Sequence, residues 1–146
     1  MNAVFKSVTR TALALLVAAA ASDPALAHDD ATLDQMPSAH GGQIRMAGMY
    51  HLELVLAKDA KGGETAAPVK VYFTDHMGKS TNVTGASGSL TLLSPAGKVV
   101  VPLSADGDHL QGSAPYVAHP ATKAVVQVKF ADGKGETARF EPFKKK

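Results

Sequence analysis

The heptapeptide Tyr50-His51-Leu52-Glu53-Leu54-Val55-Leu56 (YHLELVL, residues 50–56) decides the fold class. Its apolar side chains at Tyr50, Leu52, Leu54 and Leu56 recur with period two. Successive side chains of a strand point to opposite faces, so these four define an inward face. Met49, His51, Glu53 and Val55 then face outward. Val69, Val71 and Phe73 repeat the inward pattern in VKVYFT (69–74), with Lys70, Tyr72 and Thr74 outward. Further strands are predicted at 89–93, 99–103, 109–112, 124–130 and 137–140. Between them lie the turn clusters 94–98, 105–108 and 131–135, each with a glycine able to take positive φ.

No amphipathic helix and no internal repeat interrupts this pattern. About seven or eight short antiparallel strands in roughly 100 residues predict an all-β, immunoglobulin-like sandwich. Strands this short suit a sandwich better than a barrel enclosing a ligand. The sandwich is expected over residues 40–143.

The residues before it carry two other characters. Lys6 and Arg10, the apolar run Ala12 to Ala21, and Ala25-Leu26-Ala27 make the three parts of an export signal spanning 1–27. The apolar run is shorter than the roughly 20 residues that span a bilayer, so no membrane span is expected after cleavage. Cleavage after Ala27 would release a periplasmic chain beginning at His28. Residues 28–39 are polar and acidic, contain Pro37, and read as a flexible arm. Lys144-Lys145-Lys146 reads as a solvated basic tail.

Composition narrows the chemistry. The chain has no cysteine, which excludes disulfides, thiolate ligands and a lipid-modified amino-terminal cysteine. Fifteen Lys and Arg stand against 13 Asp and Glu, too even a balance to point to nucleic acid. Enzyme motifs are missing: no Gly-x-Ser-x-Gly elbow, no phosphate loop and no His-Glu-x-x-His. Asp106 and Asp108 flank a turn glycine, where acids are expected without any catalytic role. The expected function is therefore non-enzymatic.

What stands out is a soft-metal vocabulary. All six histidines follow Ala27, and four of the five methionines accompany them. Imidazole suits zinc and copper, and thioether sulfur selects Cu(I) and similar ions. Met49, His51 and Glu53 occupy alternate positions of one strand face, about 7 Å apart. His76 and Met77, in the turn after the next strand, and His40, in the loop leading in, are candidates to complete a site for Cu(I), Cu(II) or Zn(II). An equally simple account makes His51 a surface residue beside a Glu53–Lys70 cross-strand ion pair, with Met46 as core filler. His109 and His119 read as surface residues.

His28 adds a separate possibility. After cleavage its α-amino group and imidazole would form a bidentate Cu(II) chelate, completed by another histidine, Asp29 or Asp30. This arrangement resembles the amino-terminal histidine of periplasmic copper carriers of the CopC type.

A wider resemblance rests on HisGlyGlyGlnIle (40–44), TyrHisLeuGluLeuValLeu (50–56), ValLysValTyrPheThrAspHisMetGlyLys (69–79) and GlyAspHisLeuGlnGly (107–112). Together they resemble the small β-rich domain of some periplasmic adaptor subunits of heavy-metal efflux pumps of the resistance-nodulation-division class. The resemblance implies a sandwich fold, a setting in copper, zinc, cobalt or silver handling, periplasmic efflux components as partners, and His40 as a ligand. An adaptor's long helical hairpin and lipoyl-like domain have no counterpart in this chain. Two further functions compete: a protein-interaction module using exposed strand edges, and a small-molecule binder, which three Tyr and five Phe equip poorly.

Overall fold

A computed structural model describes residues 29–145. The expected export signal, its cleavage after Ala27, the His28 chelate and Lys146 lie outside those residues. The elements are α1 (Asp30–Gln35), β1 (Gln43–Ala47), β2 (Tyr50–Leu56), β3 (Ala67–Thr74), β4 (Ser87–Ser94), β5 (Gly97–Asp106), β6 (His109–Ala114), β7 (Lys123–Lys129) and β8 (Gly135–Phe140). Among the described residues no helix is long and apolar enough to cross a membrane.

All eight strands pair antiparallel in one sheet, in the order β1-β2-β3-β6-β5-β4-β7-β8. The sheet curls until β1 and β8 touch, and the Glu141 amide donates to Gln43 Oε1 across that seam at 2.8 Å. The all-β antiparallel expectation holds. The two layers of the sandwich- or barrel-like body belong to one nearly closed sheet.

Register follows from the apolar pattern. Leu52 opposes Phe73, Leu54 opposes Val71, and Val71 in turn opposes Leu110, so apolar residues meet on one face. On the far side Leu90 opposes both Val101 and Val126. These residues form the buried core, and each contributes about 1.5–3 kcal/mol by leaving water. A one-residue slip would turn the whole set out to solvent.

Two elements depart from the sequence pattern. Strand β1 escapes it because Arg45, not an apolar residue, points inward opposite Leu52, while Ile44 and Met46 point outward. Arg45 is nonetheless buried, held by Asp34 at 2.8 Å and Asp30 at 3.3 Å, both from α1. Helix α1 lies in the segment expected as a flexible arm. Asp29 caps it by accepting the Thr32 amide at 2.7 Å, and Leu33 anchors it with only 1% of its surface exposed. Six residues are too few to display a helical period.

A candidate metal site on the outer face of the sheet

The outward residues of β2 anchor two rows that run across the strands. In the first, Met46 of β1, His51 of β2 and Thr74 of β3 stand opposite one another. In the second, Ile44, Glu53, Tyr72, His109 and Asp106 line up across β1, β2, β3, β6 and β5. Residues opposed across strands share a face and touch.

The second row is closed by the HisGlyGly segment. The amides of His40 and Gly42 both donate to Glu53 Oε1 at 2.9 Å, and His40 Nδ1 donates to Oε2 at 3.0 Å. Glycine is required twice here. Gly41 takes φ +77°, a left-handed turn, and a Cβ at Gly42 would collide with the Leu54 carbonyl and the Glu53 side chain. Burial pushes the Glu53 carboxyl up. The Gly42 amide, the His40 side chain and the His40 amide together outweigh that and hold it below the ordinary value. Glu53 is buried, so the clasp is sealed from one side.

Above the clasp the His40 ring lies flat on Tyr72, with centroids 3.6 Å apart and planes within 3°. Tyr72 meets His109 at 4.8 Å, and His109 Nδ1 donates to Asp108 at 2.9 Å. That bond holds the Asp108 carboxyl below its ordinary value. The expected Glu53–Lys70 pair is not formed: Lys70 opposes Val55, and Glu53 is taken by His40. The expectation of a surface His109 is corrected too, since its side chain is 12% exposed beside Tyr72. His119 is exposed, and its Nδ1 accepts the Ala121 amide in a turn.

The first row is open. His51 is buried, and its ring meets the edge of His76 with centroids 5.3 Å apart and planes at 83°. His76 continues the outward parity of β3 into the turn that follows. Asp75 Oδ1 builds that turn by accepting the Met77 amide at 2.8 Å and the Lys79 amide at 2.9 Å. Met77 is consequently held out in water, 90% exposed. Met49 is 62% exposed and belongs to the β1–β2 turn rather than to the strand row, because Gly48 at φ +58° ends the ladder before it. Met46, half-buried, faces outward opposite His51 and fills no core position.

The expected ligand set therefore divides. His51 and His76 meet, with Met46 opposed to His51 and Met77 adjoining His76. His40 and Glu53 bind each other. Among the described residues, no three His, Asp or Glu side chains stand together as a ready-made metal cage. Neither Tyr72 nor His109 is among the expected ligands. Tyr72 has the right parity, but only the β3–β6 register brings His109 beside it. The chain matches no known protein family, no characterised protein and no solved structure.

Proposed function

We propose that the protein is an exported, non-enzymatic metal-binding accessory protein that takes up a soft or borderline cation in copper, silver, zinc or cobalt homeostasis. The observation that carries this reading is the edge-to-face meeting of His51 and His76 beside outward-facing thioethers. Two imidazoles and neighbouring thioethers are the donor set that monovalent copper and silver prefer. The expected export signal and the efflux-adaptor resemblance of residues 40–112 support a periplasmic setting with efflux components as partners.

Titration of the purified protein with Ag(I), Cu(I), Cu(II) and Zn(II), followed by calorimetry and histidine NMR shifts, tests it. Micromolar or tighter Ag(I) or Cu(I) binding that moves the His51 and His76 resonances is the expected result. Millimolar affinity for all four ions rejects the reading. Binding should weaken as pH falls through about 6.5, because protonated imidazole has no lone pair to give.

A second reading has its own observation. Leu93 and Val100, 56% and 54% exposed, sit diagonally on the outer face of the β4–β5 pair. An apolar patch on that face would suit a protein-interaction module. Substituting both residues with Ser should then weaken partner capture and leave metal binding untouched.

A further inference from the structure

We infer, resting on the protein-interaction reading given second above, that the outer face of β5, β4, β7 and β8 docks a protein segment bearing acidic residues around an aliphatic side chain. Strand register assembles this face. Leu93 of β4 stands between Lys98 of β5 and Lys123 of β7. In the next row Val100, Thr91, Val125 and Arg139 line up across the same four strands. Two rows further on, Lys129 lies between Ser87 and Gly135. Side chains opposed in this way share one surface.

The aliphatic part of the surface is out in water. Leu93 and Val100 are more than half exposed and Val125 is half-buried. Their chain neighbours Leu92, Val101 and Val126 point inward and are buried, so the core is already supplied without them. The charge on this face has a single sign. Lys98, Lys123, Lys129 and Arg139 project from the paired part of the four strands, and among the described residues no Asp or Glu does so there. Lys123 is answered by Glu141, just past the end of β8. Lys98, Lys129 and Arg139 face Leu93, Ser87 and Val125 instead of an acid. The whole chain carries a formal net charge of only +2, so this one-signed face is a local feature.

Charge complementarity selects an acidic partner. Side-chain length selects a protein over a lipid surface. Lys and Arg have longer stems than Leu and Val, so the cations form a rim and the aliphatic groups a floor. A planar lipid surface would rest on the rim and leave the floor wet. A protein side chain can descend to the floor while neighbouring carboxylates meet the rim, the apolar centre and polar border of an ordinary interface.

Amide NMR titration of the whole protein tests this with three probes. They are a synthetic Glu-Ser peptide with one central Leu, its Gln-for-Glu counterpart, and phosphatidylglycerol-containing vesicles. The acidic peptide should shift the amides of Leu93, Val100 and Val125 with a Kd below about 1 mM in dilute buffer. Raising NaCl to about 0.5 M should weaken it at least about tenfold, because exposed charges are then screened. Lys98→Glu with Arg139→Glu should also weaken it about tenfold or more, and Leu93→Ser with Val100→Ser about fivefold. The salt dependence is read on the wild-type protein and stands if a variant does not fold. Equal binding of the acidic and Gln peptides overturns the acidic partner while leaving an interaction module in place. Vesicle binding without peptide binding assigns the face to lipid and overturns the inference. Failure of all three probes to shift this face overturns both the inference and the interaction reading.

Discussion

His51 and Glu53 are neighbours on one face of one strand, yet their surroundings are opposite. Glu53 is saturated: two amides and an imidazole occupy its oxygens, and Tyr72, stacked on that imidazole and tilted against His109, backs it. His51 looks toward a turn where His76 and the thioether of Met77 stand in solvent. The first arrangement spends its polar groups on holding the HisGlyGly segment to the sheet. The second leaves the side chains of His76 and Met77 at the surface. The difference teaches that residue type alone does not make a ligand. In one row the hydrogen bonds commit Glu53 and His40 to each other, whereas in the other two imidazoles meet edge to face.

The contrast breaks most visibly at the open corner. His76→Ala, at an exposed turn, combined with His51→Gln, which preserves volume at a buried site, should lower Ag(I) affinity about 100-fold, or roughly 2.7 kcal/mol. Thermal stability should stay close to that of the His51→Gln single variant. If affinity survives, the two imidazoles are not the ligands and the open row is only a surface.

The clasped row should respond in stability instead. Glu53→Gln should cost about 2 kcal/mol in urea unfolding, the usual scale for hydrogen bonds to a buried charge. The carboxyl is held below its ordinary value, so its contribution is complete above pH 4.5 and is lost as pH falls through the lower folded-state value. The gap in unfolding free energy between the wild-type protein and Glu53→Gln should therefore be constant near neutrality and close below pH 4.5. A gap independent of pH would mean that the charge carries no part of the clasp.

Tyr72→Ala sharpens the same distinction with a smaller effect. It removes the stack on His40 and the tilted ring contact with His109, and about 1–3 kcal/mol of stability should go with them. Ag(I) affinity should not change, because Tyr72 belongs to the other row. The smallest stability effect belongs to Met77→Ser, which should shift unfolding by less than about 0.5 kcal/mol while weakening Ag(I) several-fold. Equal Ag(I) affinity in Met77→Ser and the wild-type protein would remove that thioether from the proposed site.

Much of the fold was legible residue by residue. The alternation in 50–56 and 69–74 marked both strands and their inner faces, and Tyr50–Leu56 is bounded as the pattern predicts. Strand β1 was not legible, because its inward Arg45 reverses the expected polarity. What stabilises that guanidinium is an acid pair from α1, a contact invisible in a local window. Of the site, the outward placement of His51 and Glu53 followed from parity. The pairing of Glu53 with His40 rather than Lys70 did not, since it depends on a turn that Gly41 and Gly42 bend back over β2.

By itself the order of residues determined the all-β class, the faces of the strands, the absence of thiol chemistry and the inventory of donor atoms. Those properties are local: period two in the side chains, glycine at turns, and which functional groups exist. Only the tertiary structure decided which donors meet, placing His76 against His51, His40 on Glu53 and His109 beside Tyr72. Such contacts are set by strand order and register, and those are properties of the whole sheet, because each strand takes its place from the core it shares with the others.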